Sequence, residues 1–145
     1  MSAVLELEFP HSDALIMSAA VADAKVASYS EAKIRKESLD RVDLAKNPDI
    51  LKSLSANKKL NQVIIGFAAE TSEDLVMLEE SGRAKLASKS LDLIYVNNVS
   101  NGAVFGSDFT QGLIIDRNLN VIKVPEISKD TLSDILLDQL VSKLG

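Results

Sequence analysis

Short apolar runs alternate along this chain with stretches whose apolar residues recur every three or four positions, the pattern of strands alternating with helices. Ala14-Leu15-Ile16-Met17 reads as a short strand buried on both faces, and Val63-Ile64-Ile65-Gly66-Phe67 is the clearest buried strand. Leu91 to Val96 supplies another. Val42 and Leu44 alternate with Arg41 and Asp43, which predicts a short strand at an edge. Leu113–Ile115 and Val121–Val124 flank Asp116-Arg117-Asn118-Leu119-Asn120, a hairpin signal.

Three helices are predicted between and after these strands. Asn47-Pro48-Asp49 reads as a start, with Asn47 as N-cap, Pro48 in the first position and an acid in the first turn. That helix should run to about Ala56, with Ile50, Leu51 and Leu54 facing the core. Thr71 or Ser72 is expected to cap the second, which carries Leu75, Leu78 and Leu86 and ends near Ser90, with Gly82 as a weak point. Ser128 opens a final amphipathic helix with Leu132, Leu136, Leu140 and Leu144 at four-residue spacing. Ala24 to Ser38 is polar and mixed in charge, a long exposed loop suited to function. The sum is one α/β domain over residues 1–145: a three-layer, Rossmann-like or ribokinase-like, mostly parallel sheet, with helices on both faces and a β-hairpin near the C-terminus. Ligands of such sheets bind beyond the C-terminal ends of the strands. That rule points to Ser18–Asp23, Ala68–Thr71 and Asn97–Ser100.

Composition narrows the chemistry. The chain is 46% hydrophobic but 4% aromatic with no Trp, so its core is aliphatic. Sixteen Lys and Arg against 21 Asp and Glu give a net charge of −5, which argues against nucleic acid held on a large basic face. A small local cation cluster for one nucleotide remains compatible with it. Zero Cys removes disulfides, Cys-based zinc sites and thiol catalysis, and suits a reducing cytoplasm; one His removes His-rich metal sites. The acidic N-terminus is not a signal peptide, and the run from Ala14 to Ala22 is about half of the ~20 residues that a spanning helix needs. No membrane partner is expected.

No nucleotide or hydrolase motif of general type is present, and His11-Ser12-Asp13 cannot hold triad geometry as neighbours, which leaves His11 as a loop residue. Asp23 follows Ala19-Ala20-Val21-Ala22 just beyond a strand. It either accepts hydrogen bonds from a ribose or base that approaches over these small side chains, or caps a turn. Lys33-Ile34-Arg35-Lys36 is either a phosphate clamp or a solvated loop. Lys85 and Lys89 share one helix face, where the C-terminal dipole favours cations in any case. Phe67 either stacks on a base or belongs to the core.

Taken in order, Ser12-Asp13-Ala14-Leu15-Ile16-Met17-Ser18-Ala19-Ala20-Val21-Ala22-Asp23, Lys33-Ile34-Arg35-Lys36, Lys46-Asn47-Pro48-Asp49-Ile50-Leu51, Gly66-Phe67-Ala68-Ala69-Glu70-Thr71 and Ser90-Leu91-Asp92-Leu93-Ile94 before Asn97 resemble the phosphopantothenate–cysteine ligases, the synthetase part of bacterial coenzyme A biosynthesis proteins. The resemblance spans nearly the whole chain and implies a two-step reaction. The carboxylate of 4′-phosphopantothenate attacks the α-phosphate of CTP with Mg²⁺ on the phosphates, giving an acyl-cytidylate and pyrophosphate. The amine of cysteine then displaces CMP.

It further implies that Lys33 is the catalytic lysine, and that Asp23 with the Met17-Ser18-Ala19 backbone holds the nucleotide. Pro48, Asp49, Ile50, Leu51 and Phe67 would line its site, Lys85 and Lys89 would reach its phosphates, and the N–H groups of the helix at Pro48 would suit an anion. The metal ligands are left unknown. Family members also form homodimers with the motif lysine near the subunit interface, and carry a preceding glycine-rich TSGGT-type strand and an SSGxMG segment that this sequence lacks. The expectation is therefore the C-terminal part of a ligase domain, with weak or no turnover and no FMN. The alternative is a non-catalytic nucleotide-binding or dimerisation module that retains the fold.

Overall fold

The computed structural model describes residues 1–35, 40–100 and 106–145. Lys36, the last cation of the Lys33 cluster, lies outside them. The described residues form a five-stranded sheet in the order β1-β4-β5-β6-β7, with a two-stranded ribbon, β2-β3, beside it. The strands are β1 (Ala14–Met17), β2 (Ala24–Val26), β3 (Leu44–Lys46), β4 (Val63–Glu70), β5 (Leu93–Asn98), β6 (Phe109–Asp116) and β7 (Val121–Ser128). The helices are α1 (Ser2–Glu8), α2 (Ile50–Ala56), α3 (Leu75–Ser88) and α4 (Lys129–Leu144). β1, β4 and β5 pair in parallel, while β6 is antiparallel to both its neighbours, so four of the five strands point the same way.

Two apolar layers hold the sheet between its helices. On one face Leu51 and Leu54 of α2 and Leu78 and Leu86 of α3 pack on Ile64, Ile94, Val96, Leu113 and Ile115. On the other, Leu132, Leu136 and Leu140 of α4 pack on Ile65, Leu93, Tyr95 and Ile114. The four-residue leucine spacing of α4 thus becomes one buried stripe, and its Ser128 cap accepts from the Thr131 N–H.

Several expectations need correcting. β1 is not buried on both faces: it is an edge strand, and Ile16 is 40% exposed while Met17 is 8%. The segment from Ala24 is not all loop, because Ala24–Val26 pairs with Leu44–Lys46. Asn47 does not cap α2. Asp49 does, its side chain accepting from Lys52 N–H, while Asn47 donates Nδ2–H to the Ala22 carbonyl at 2.8 Å. Asp74 rather than Thr71 or Ser72 caps α3, since β4 continues through Glu70 and delays the helix.

Leu75 is exposed at 47% because it sits in the first turn of α3, ahead of the stripe that meets the sheet. Gly82 is a packing site. A Cβ there would stand 2.6 Å from Ile115 Cδ1 and 2.7 Å from Val96 Cγ2, so the missing side chain lets α3 settle on the sheet. The acidic N-terminal residues form α1, an element the hydrophobic pattern did not predict; none of its residues is buried.

Candidate nucleotide cleft

The parallel strands β1 and β4 deliver their C-terminal ends to one cleft of about 710 Å³. Met17 and Ala19 come from β1 and the turn after it, Asp23 from the entrance to the ribbon, Phe67 from β4, and Lys85 and Lys89 from the end of α3. Pro48, Asp49, Ile50 and Leu51 close the floor at the start of α2. Ten of the predicted positions are therefore gathered in one place, from segments up to about 70 residues apart in the chain.

Two are not. Ser18 faces the opposite side of the sheet, lining a second groove with Ile16 and α4, because side chains alternate along a strand and Met17 takes the cleft side. Lys33 is exposed on the segment beyond β2 and does not line the cleft. The sequence reading missed Lys46 and Lys52, which bring the cleft to four lysines against Asp23 and Asp49 in a chain of net charge −5. Lys46 stands in one of the stretches that carry the family resemblance, and Lys52 just beyond it, but neither was singled out there.

The lysines of α3 are already oriented. Lys85 pairs with Glu70, which also accepts from Ser81 Oγ at 2.6 Å, and Lys89 Nζ lies 3.1 Å from Asp49 Oδ2. Asp49 thus binds its own helix N-terminus through Oδ1 and Lys89 through Oδ2. The expected anion-binding role for that short helix start is met instead by this carboxylate. The bond from Lys85, with help from Ser81, holds the Glu70 carboxyl below its ordinary value. Partial burial works to push Asp49 up, but Lys52 N–H and Lys89 together hold it below its ordinary value. Phe67 meets Tyr95 edge-on, with centroids 5.9 Å apart, and lines both the cleft and the second groove.

Both carboxyls are depressed in the fold, so their contribution to stability is present above the unfolded values and is lost as pH falls through the folded ones. The thermal midpoint is expected to drop on acidification below about pH 4.5, and the Asp49→Asn, Glu70→Gln double variant to show a flatter acid limb. Parallel acid limbs for the two proteins, by differential scanning calorimetry, would refute this assignment.

Among the described residues no group of three His, Asp or Glu side chains could hold a metal ion. No helix among the described residues is long and apolar enough to cross a membrane.

The comparisons with known proteins give the family and the fold. The family model for the DNA/pantothenate metabolism flavoprotein C-terminal domain matches residues 1–144. A coenzyme A biosynthesis bifunctional protein of Bacillus subtilis is 37% identical over 133 residues, covering 90% of this chain and 32% of that protein. The crystal structure of the C-terminal domain of another such bifunctional protein superposes with a TM-score of 0.71 at 25% identity, covering 96% of this chain and 58% of that one. A DNA/pantothenate metabolism flavoprotein from Streptococcus pneumoniae gives 0.75 at 19% identity, over 97% and 67% respectively, which supports the fold alone. The chain spans about a third of the length of the curated relatives it matches.

Proposed function

From the premise that this chain belongs to the DNA/pantothenate metabolism flavoprotein C-terminal domain family, we propose that it is the nucleotide-holding part of a phosphopantothenate–cysteine ligase. In that reading it acts in the cytoplasm, in coenzyme A biosynthesis, with CTP, 4′-phosphopantothenate and cysteine as substrates. The observation that carries the proposal is the cleft at the strand ends, where Lys46, Lys52, Lys85 and Lys89 surround the backbone of Ala19-Ala20 and the ring of Phe67.

The chemistry asks for two things that this cleft supplies. Negative charge gathers on the α-phosphate as the substrate carboxylate attacks and pyrophosphate leaves, and the lysines that Glu70 and Asp49 hold at the cleft are within reach to neutralise it. The ribose and base need close backbone approach, which Ala19, Ala20 and Ala22 allow, with Asp23 as acceptor. Binding of a triphosphate draws Lys85 and Lys89 from their carboxylates to the phosphates. Lys33 lies away from this cleft, and the homodimer implied by the resemblance would bring it to a nucleotide held by the second copy.

Titration calorimetry with CTP and Mg²⁺ is the test. Binding is expected, and Lys89→Ala should weaken it by about tenfold, the cost of one charge-assisted hydrogen bond. Lys33→Ala should also lower affinity. No heat with CTP, or affinity unchanged in both variants, would end the site assignment.

A further inference from the structure

The acids of the cleft are not all alike. Glu70 holds Lys85 and Asp49 holds Lys89, so both are committed before any ligand arrives. Asp23 lines the same cleft, yet among the described residues its carboxylate has no hydrogen-bond or ion-pair partner. It caps no turn, the alternative that the sequence left open for it. An exposed carboxylate of this kind, set among lysines that pair elsewhere, is an acceptor left available to a ligand.

What directs that carboxylate is not its own segment. Ala19–Asp23 lies outside helix and strand, and each of its residues is exposed. Three of the five are alanines, which bring no long side chain to anchor the backbone. The anchor comes from Asn47. Its Nδ2–H donates to the Ala22 carbonyl and its backbone N–H to the Asp23 carbonyl, both at 2.8 Å. These two carbonyls flank the Asp23 Cα, so fixing both limits the directions its side chain can take.

Asn47 is itself well held. It follows directly on β3, whose Lys46 is in register with Ala24, and Pro48 behind it disfavours helical backbone at Asn47. Two residues on, Asp49 binds the start of α2 and Lys89. One three-residue stretch thus ties the turn after β1 to the lysine-bearing end of α3.

We propose that Asn47 is a positioning residue of the nucleotide site: its amide fixes the Ala22–Asp23 backbone so that the Asp23 carboxylate meets the ribose hydroxyls, and the cleft thereby prefers ribonucleotides to their deoxy forms. The proposal rests on the reading of this cleft as a nucleoside triphosphate site. Asn47 acts through Asp23 and makes no bond to the nucleotide. Hydrogen bonds to a carboxylate are among the stronger ones, and they count most when the acceptor is oriented in advance. Loss of the Asn47 amide leaves the phosphate and base contacts in place, because Lys85, Lys89 and Phe67 stand on α3 and β4.

Titration calorimetry on the full chain tests this by comparing CTP with 2′,3′-dideoxy-CTP, which lacks both ribose hydroxyls, each with Mg²⁺. The parent is expected to bind CTP at least about tenfold more tightly. Asp23→Ala should bring that ratio close to one. Asn47→Ala should weaken CTP about five- to tenfold while dideoxy-CTP stays within about twofold. Asn47→Leu, which keeps the volume but has no donor, should lose the same preference. Adding Asn47→Ala to Asp23→Ala should change CTP affinity no further, since both act through one contact.

A merely structural role for Asn47 would weaken both ligands together, and that result overturns the proposal. So does an Asn47→Ala protein that keeps the full preference, or a parent that binds the two nucleotides equally; in either case the cleft remains a triphosphate site. A parent that binds neither nucleotide refutes the triphosphate reading itself, and the proposal with it.

Discussion

Replacing Asp92 with alanine is expected to destabilise the protein by about 3–5 kcal/mol, the range for leaving a buried charge without its partner. Asp92 sits just before β5, at the end of the sheet away from the cleft, and is 8% exposed. Its Oδ2 accepts from Lys58 Nζ at 2.5 Å and from Ile64 N–H at 2.8 Å, and its Oδ1 lies 2.7 Å from Arg117 Nη2. One carboxylate therefore ties the turn after α2, the start of β4 and the hairpin after β6. Its loss strands the Lys58 ammonium, whose side chain is 10% exposed, and unpairs a buried backbone N–H. Arg117 is more than half exposed, so Arg117→Ala should cost less than about 1 kcal/mol. Urea unfolding of the two variants gives the comparison, and equal midpoints would contradict it. CTP affinity of folded Asp92→Ala should match the parent, because the network lies at the far end of the strands.

Gly112→Ala should cost about 3 kcal/mol or more, while Gly82→Ala costs about 1 kcal/mol or less. Both positions lack room for a Cβ, yet the obstacles differ. At Gly112 the new carbon would stand 2.1 Å from the Val96 carbonyl oxygen and 3.0 Å from Asn97 Cα, both backbone atoms of the paired strand β5. Neither can rotate aside, so β5 and β6 must part where their ladder ends, next to the register shift between Thr110 and Gly112. At Gly82 the obstacles are the methyl ends of Ile115 and Val96, which yield more easily, and alanine returns up to ~1 kcal/mol of helix propensity. Chemical denaturation of both variants decides it. A Gly112→Ala protein as stable as Gly82→Ala would overturn the backbone-contact argument.

Much of the fold was legible because local pattern and burial coincide in its centre. Val63–Phe67, Leu93–Val96 and Leu132, Leu136 and Leu140 of α4 read correctly since both faces of those strands, or one stripe of that helix, meet apolar partners, whereas Leu91 and Asp92 precede β5 and Leu144, in the last turn of α4, is 43% exposed. Reading failed at the margins. β1 has the composition of a central strand but the position of an edge, and a four-residue run holds no information about its neighbours. Caps were misplaced by two or three residues because Asn47, Thr71 and Ser72 are as able to cap as Asp49 and Asp74, and only the chain's path selects among them. The rule that ligands sit at strand C-termini found part of the cleft, Ala19–Asp23 with Ala68 and Ala69, but Asn97 lines the second groove instead, and Pro48–Leu51, Lys85 and Lys89 came from the resemblance. Lys46 and Lys52 were missed because nothing in a linear sequence distinguishes a lysine facing a cleft from one facing water.

By itself the sequence determined the strand–helix alternation and the aliphatic core, which follow from side-chain periodicity and residue type, both local properties. That Met17, Asp23, Asp49, Phe67, Lys85 and Lys89 share one candidate site was implied by the family resemblance of their segments, and the fold brings them to one cleft. Tertiary structure alone decided that Ser18 turns away from that site, that Glu70 and Asp49 hold its lysines, that Asp92 binds three segments, and that β1 is left with an open edge and one bare face. Each depends on which distant segments lie alongside one another. Sheet order and crossover hand settle that, and no short stretch of residues encodes either.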